Sequence, residues 1–590
     1  MRHPNLQSFL STLKREGELH RIDETVHPYL ELAEIHRRTV AGHGPALLFT
    51  RVSGTSFPVV TNLFGTRRRI DLAFGEDPVR FFRRIAQSAE ILLPPSLSGL
   101  WRYRDLGKAL LKVGTRQSSS GPVLEQNIHP PGLKSLPQIQ CWPKDGGPFL
   151  TLPLVYTEHP VTGKPNLGMY RNQIYNDSTA GMHFQIQRGI GFHYYESERM
   201  GMPLPANIFL GGPPALILSA IAPLPENVPE LILASLLQGG RVVQIRNSRV
   251  STLPLLAEAD FALVGKIPLQ KRRTEGPFGD HYGYYSLEHP YPVFEVERIY
   301  HRKNAIFPAT VVGRPRQEDH YIGEYLQELF SPLFPLLMNG VVAVWAYDDA
   351  GVHTLASAIV RERYRKEAFM AALRILGEGQ LSLTKFLMVT DAEVPLKNFG
   401  AVLAHILERA DFAADLFVFS NVSQDTLDYT SGKLNEGSKA ILMGLGEKRY
   451  ELASKPSADL RSRIFRRQRV FVPGVLVVEA ERWQKDDSAV AELVKEEAVQ
   501  PFRLVCLVDD AADCTRDEAS FLWTVFTRFE PAADIHSPQA RLRRFHVELT
   551  SPLVFDCRMK PWYPPPVEPL PETVKQVDAL WPRIFPGGML

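Results

Sequence analysis

The stretch Phe386-Leu-Met-Val-Thr-Asp391 returns later in the chain as Leu504-Val-Cys-Leu-Val-Asp-Asp510. Aligning Asp391 with Asp510 also aligns Arg409 with Arg528 and Asp415 with Asp534, at one constant offset of 119 residues. Each copy reads as a buried apolar strand, an acidic turn, a helix and a return toward another strand. Matched positions at one offset within the same pattern point to a duplicated α/β unit, in which each copy needs a neighbour to cover its apolar face. The copies have diverged. The first carries Leu427-Asp-Tyr429 and Gly437-Ser-Lys439, the second Phe555-Asp-Cys-Arg-Met-Lys-Pro-Trp562, followed by a proline-rich tail around 561–571 that is expected to run extended along a surface.

Upstream of the repeat the chain has a different rhythm. Residues 1–115 read as a mixed α/β domain: Leu6 to Arg15 has helical periodicity, and Ala46-Leu-Leu-Phe-Thr50 and Phe57-Pro-Val-Val-Thr61 suggest short strands. Gly114 to Gly121 reads as a polar connection. Residues 116–315 are rich in short apolar runs broken by Pro and Gly, such as Ala206–Leu210, Ala215–Ser219 and Arg241–Ile245, which suits a β-rich domain with intervening helices. The expected division is therefore 1–115, 116–315, 316–455 and 456–590, the last being the added copy with its tail.

Composition excludes several classes. A 44% hydrophobic and 22% charged chain of 590 residues is an ordinary globular protein of several domains. A net charge of +2 argues against a dedicated nucleic-acid binder. The densest basic run, Arg461 to Arg469, reads as a solvated connector. Cys141, Cys506, Cys514 and Cys557 have neither disulfide-framework nor zinc spacing. The N-terminus lacks the apolar core of a secretory signal, so a cytoplasmic location is expected. The charge-free window Leu329 to Tyr347 is interrupted by Pro332, Pro335, Asn339 and Gly340, and reads as a buried helix end entering a strand at Val341–Ala346 rather than a membrane span.

Chemistry concentrates in Glu275-Gly-Pro-Phe-Gly-Asp280, followed by His281-Tyr-Gly-Tyr-Tyr285. Two carboxylates on a loop stiffened by Gly276, Pro277 and Gly279 suit a proton donor and its orienting partner, provided that one pKa is raised. The solvated alternative is a surface turn. About a hundred residues earlier stands Pro165-Asn-Leu-Gly-Met-Tyr-Arg171-Asn-Gln. Arg171 presents a planar fork able to grip a carboxylate.

These two motifs together resemble the UbiD-like decarboxylases, which use prenylated flavin mononucleotide. Phe9 to Ile22, Gly44-Pro-Ala-Leu-Leu-Phe49, Asn62-Leu-Phe-Gly-Thr66, Tyr291-Pro-Val-Phe-Glu295 and Gly313-Arg-Pro315 extend the likeness in the same order over most of the chain. The resemblance implies a mixed α/β protein whose central domain is a split β-barrel that holds the flavin. It implies decarboxylation of an aromatic or α,β-unsaturated acid, reversible in principle, with Arg171 and Glu275 paired and Asp280 as proton donor. The long form resembles members placed in menaquinone synthesis, with a ubiquinone precursor as the nearby alternative. A non-catalytic flavin-binding or assembly subunit is the competing class.

The family pattern also implies flavin contacts at Asn166, Gly168, Met169, Tyr170, Arg171, Ile186, Gln187, Ser219 and Lys439. It implies a manganese ion, with potassium nearby, held by an asparagine, a histidine and an acid. Asn166 takes the first position. Gln187 stands at the histidine position, and a glutamine is a weaker donor to manganese than imidazole, which leaves magnesium, altered manganese binding or no metal open. Asp260 is the preferred acid and Glu258 the alternative, while His183 and His193 flank the site in sequence. The implied partners are a small aromatic carboxylic acid, a flavin prenyltransferase as supplier of the cofactor and further copies of the chain in a homo-oligomer. A lipid-tailed substrate would add peripheral membrane contact.

Overall fold

The computed structural model describes residues 2–91, 102–104, 106–107, 111–184, 189–224 and 228–588. The chain forms two compact units, one of residues 1–329 with 565–590, the other of residues 330–564. The last 26 residues thus return to the first unit instead of completing the second copy. Residues 561–570, the stretch expected to run extended, contain no helix, and the helix Pro571–Ile584 follows directly. Its side chains Thr573, Val577 and Ile584 are buried, and Asp578 pairs with Arg38 of the helix Glu31–Ala41 at 2.7 Å.

The first unit opens with the helix Leu6–Arg15, capped by the Asn5 side chain, which accepts from the Ser8 amide at 3.0 Å. Leu6, Phe9, Leu10 and Leu13 repeat at helical spacing and are the buried stripe. A four-stranded sheet follows, in the order Leu19–Val26, Ala46–Val52, Val59–Thr61 and Phe307–Pro308. The heart of the unit is an eight-stranded sheet. Its main path runs through Thr179–Gly181, His289–His301, Phe261–Ile267, Leu204–Leu210, Leu154–Glu158 and Pro165–Met169, all antiparallel. Strands such as Phe261–Ile267 are buried almost throughout, so they read as continuous apolar runs rather than alternating ones. The run Ala215–Ser219 lies not in a strand but in the helix Pro214–Ile221, opened by prolines at its first turn. The polar connection at 114–121 contains the strand Thr115–Ser118, which pairs in parallel with Val242–Ile245.

The second unit contains two five-stranded sheets of one topology. In the first the order is Val341–Ala346, Leu355–Val360, Phe386–Thr390, Glu436–Gly444, Leu416–Ser423; in the second it is Phe465–Val472, Val475–Ala480, Leu504–Val508, Leu553–Asp556, Ile535–His536. Both run antiparallel, parallel, parallel, antiparallel across the order. The short helices Phe412–Asp415 and Pro531–Asp534 precede the last-placed strand of each. One apolar core joins the sheets, with the Phe386 ring 5.7–5.8 Å from those of Phe526, Phe529 and Phe555. The basic run Arg461–Arg469 enters the edge strand Phe465–Val472, where charge on an edge discourages further pairing. The window Leu329–Tyr347 divides into a helix end, a short helix Phe334–Leu337 and the strand Val341–Ala346. No helix among the described residues is long and apolar enough to cross a membrane.

Candidate active site

Arg171 lies between the strands Pro165–Met169 and Asn172–Gln173. Its neighbours are anchored: Asn172 Nδ2 donates to the Gly181 carbonyl at 2.8 Å and Gln173 Nε2 to that of Gly146 at 2.6 Å. The guanidinium donates from Nε to Glu275 Oε1 at 3.0 Å, from Nη1 to Asp280 Oδ2, and from Nη2 to Ser286 Oγ at 3.1 Å. Its face lies 4.6 Å from the centre of the Phe278 ring. All three charged side chains are at most 10% exposed. The sequence-predicted triad is therefore brought together, with the arginine tying both ends of one loop.

The loop is held almost amide by amide. Gly276, at φ +99°, adopts a conformation that disfavours other residues, and its N–H donates to Gln173 Oε1 at 2.9 Å. The Phe278 amide donates to Ser286 Oγ at 3.1 Å, and the Gly279 amide to Asp145 Oδ1 at 2.7 Å. Asp145 Oδ2 also accepts from Trp142 and Cys141, at 2.8 and 3.1 Å, so one buried carboxylate joins two segments. Burial pushes its pKa up to about 7 against the pull of these donors. Trp142 forms the floor: a Cβ on Gly279 would stand 2.1 Å from its indole.

Two outcomes differ from the sequence expectation. First, Asp280 is not a carboxyl with a raised pKa. Burial works in that direction, but Arg171 and then His281 outweigh it and hold the group well below the usual carboxylate range. His281 bonds Asp280 Oδ1 from its backbone N–H at 2.8 Å and places Nδ1 2.7 Å from the same oxygen. Second, His183 belongs to the site, with Nδ1 3.0 Å from Glu275 Oε1, the oxygen that Arg171 also uses. Burial opposes ionisation of Glu275, yet His183 and Arg171 bring its pKa below normal. Glu275 Oε2 is buried without a hydrogen-bond partner. Only the position of His183 in the same run as Gln187 pointed to it. His193 is structural, its Nδ1 2.9 Å from Thr157 Oγ1.

The expected metal acids lie elsewhere. Asp260 is taken up by Gln7 Nε2 at 2.5 Å and by the amides of Gly212 and Ile306 at 3.1 and 3.2 Å, and burial raises its pKa to about 6. Glu258 accepts from Asn5 and Arg302 at 3.1 and 3.2 Å. In the sheet register Asn166 pairs with Thr157, at the opposite end from Asp260 and three strands away, roughly 20 Å along the sheet. The acid beside Asn166 is Glu230, at the start of the helix Glu230–Gln238, where it accepts from the Leu167 amide at 3.0 Å. Burial raises its pKa. Asn166 Nδ2 is buried and unpartnered. The Asn166 side-chain oxygen and the Glu230 carboxylate, which meets the amide of Leu167, the residue after Asn166, are a hard-oxygen donor pair that fits a divalent cation such as manganese or magnesium. Among the described residues, no group of three or more His, Cys, Asp or Glu forms a metal cluster. Ile186 and Gln187 lie outside the described residues. Gly168 and Met169 lie on the strand leading to Arg171, with the Tyr170 ring packed against Gly168. Ser219 is fully buried and its hydroxyl donates to the Ala215 carbonyl at 2.7 Å. Lys439 belongs to the second unit, where Nζ donates to the Thr384 carbonyl at 3.0 Å and burial lowers its pKa to about 8.

Models of the N-terminal, Rift-related and C-terminal domains of 3-octaprenyl-4-hydroxybenzoate carboxy-lyase match residues 10–89, 115–315 and 320–444. A protein of Chlamydia trachomatis is 47% identical over 99% of this chain and 100% of its own length. A Chlamydia pneumoniae protein that carries the name of a 4-hydroxybenzoate decarboxylase component is 47% identical over 99% of this chain and 98% of its own. Among solved structures, Sedimentibacter hydroxybenzoicus vanillic acid decarboxylase aligns with a TM-score of 0.67 at 23% identity, covering 78% of this chain and 96% of that one. HmfF from Pelotomaculum thermopropionicum, solved with FMN, gives 0.60 at 23% identity, over 75% of this chain and 94% of that one. The chain belongs to the UbiD family of decarboxylases.

Proposed function

We propose that the protein decarboxylates an aromatic carboxylic acid with prenylated FMN as cofactor, a quinone precursor being the leading substrate class. The observation that carries the reading is the buried Arg171 shared between Glu275 and Asp280. Two carboxylates on one guanidinium are more than a structural ion pair requires, and they leave a cation able to exchange one partner for a substrate carboxylate. Relatives support the chemistry through the hydroxybenzoate and vanillate decarboxylase names they carry and the FMN bound to HmfF.

Asn166 and Glu230 would hold the divalent cation that compensates the flavin phosphate. When bound, the prenylated flavin supplies the electron sink for the pair left behind as carbon dioxide departs. The chain's own part is placement and protons. Arg171 meets the substrate carboxylate and, in doing so, loosens its hold on Asp280. That loss raises the Asp280 pKa from its depressed value, so the group takes up the one proton that each decarboxylation consumes and delivers it from a carboxyl oxygen to the reacting carbon. Glu275, kept ionised by His183, retains Arg171 at the site while Asp280 is released. Run backward, the same residues serve carboxylation.

The test is carbon dioxide release from naphthoic, hydroxybenzoic and acrylic acids by protein loaded with prenylated FMN and manganese, with Asp280→Asn as control. Cofactor-dependent release that disappears in the variant supports the reading. Failure to retain flavin with metal supplied transfers it to the assembly-subunit alternative.

A further inference from the structure

The second copy carries an element that the first lacks. Between its strands Ile535–His536 and Leu553–Asp556 stands a hairpin, Ala540–Arg543 and His546–Leu549; the first copy places there the loop with Leu427-Asp-Tyr429. Topology of the repeat therefore does not demand the hairpin. Leu542 pairs with Val547, and Arg543 with His546, so apolar and basic residues alternate between the faces. Leu549 at the base is buried, whereas Leu542 is 71% and Val547 46% exposed. At the tip Phe545 is 97% exposed, more than any other large apolar side chain described.

The tip is held in place. Arg544 and Phe545 sit at φ +52° and +61°, the twist a two-residue hairpin turn needs and one that bulky residues adopt at a cost. At the base, the Thr550 amide donates to Ser537 Oγ at 2.8 Å and that hydroxyl donates to the Thr550 carbonyl at 2.7 Å. His546 Nε2 lies 3.0 Å from the Ala413 carbonyl, and its ring packs 5.0 Å from that of Phe417. An ordered ribbon thus presents an apolar ridge of Leu542 and Val547 on one face, Arg541 and Arg543 on the other, and Arg544 beside Phe545 at the tip. Glu548, 3.8 Å from Arg543, is its one acid; Asp415 behind it is offset by Arg449 at 3.7 Å.

We propose that this hairpin is a docking wedge for an anionic lipid surface, with Phe545 and Leu542 entering the acyl boundary and the three arginines meeting lipid phosphates. A strained, solvent-facing phenylalanine beside three cations and a single acid matches a surface that is apolar below and negatively charged above. The proposal is independent of which acid the active site takes.

The test is co-sedimentation of the full-length protein with phosphatidylglycerol-containing vesicles, against pure phosphatidylcholine vesicles and a lipid-free control. Binding is expected to the anionic vesicles and to fall with salt. Leu542→Ser with Phe545→Ser is expected to weaken it at least about tenfold, and each arginine changed to glutamine by about fivefold. All these positions are exposed, and an unchanged circular dichroism spectrum verifies that the variants fold. Wild-type binding no stronger to anionic than to neutral vesicles overturns the proposal, as does binding indifferent to the double variant. A smaller oligomer in the double variant, without vesicle binding by the wild type, assigns the ridge to a second copy of the chain instead.

Discussion

Gly279→Ala tests whether the Glu275–Asp280 loop is positioned by the floor beneath it. The added Cβ would lie 2.1 Å from Trp142 Cδ1, 2.6 Å from Cγ and 2.8 Å from Nε1, where contacts below 3.0 Å are not tolerated. Trp142 has nowhere to go: it is fully buried, its Nε1 donates to the Val312 carbonyl at 2.9 Å, and Arg37 stacks 4.2 Å above the ring. The loop must yield by about 1 Å, carrying the adjacent Asp280 with it. A misplacement of that size at a reacting group costs about 100-fold in rate, or about 2.7 kcal/mol. The assay is single-turnover carbon dioxide release by flavin-loaded protein, with flavin absorbance confirming equal loading. Trp142→Leu added to Gly279→Ala relieves the clash and is expected to recover part of the loss, a coupling that two independent defects would not show. Activity of Gly279→Ala within threefold of wild type would refute the positioning argument.

Asp280 is ionised in the folded state at a pKa below its unfolded value of about 3.9. Its contribution to stability is therefore complete above that value and is lost as pH falls through the folded one. The stability advantage of wild type over Asp280→Asn, read from urea unfolding, should shrink below about pH 4 and stay constant above it; an advantage independent of pH would contradict the assigned pairing. Glu230→Gln should lower bound manganese at least about tenfold by elemental analysis, whereas Asp260→Asn should leave metal content unchanged and cost about 2 kcal/mol of stability through its lost buried bonds. Equal metal loss in both would restore Asp260 as a ligand. Lys560, buried, donates to Asp534 Oδ2 at 2.9 Å and to the carbonyls of Arg528 and Asp556 at 3.0 and 2.6 Å. Lys560→Met, which strands Asp534, should destabilise the second unit by about 3 kcal/mol in urea.

The duplicated sheets and the Arg171–Glu275–Asp280 triad were legible because each is written as local pattern: apolar strands at one offset, and motifs in a fixed order. Contacts between distant segments were not. Glu230 stands at a helix start, and only its bond to the Leu167 amide in the folded chain shows that it meets the Asn166 segment. Anchoring the acid by spacing chose Asp260, which the sheet carries to its far end. The raised pKa that a proton donor needs was expected at Asp280 because the shared guanidinium and the backbone N–H of His281, which lower it, are not visible in the sequence. The helix Pro571–Ile584 begins where the proline-rich run ends, with Pro571 at its first position, where a missing N–H costs nothing.

The common core of the two C-terminal sheets makes the copies depend on each other for folding. Phe386 of the first is packed among Phe526, Phe529 and Phe555 of the second, so removing either copy would expose a broad apolar face to water. The pair should unfold in a single step, with the amides of strands Phe386–Thr390 and Leu504–Val508 exchanging with solvent at one common rate. A protease would accordingly find no partly unfolded intermediate in which one sheet persists without the other.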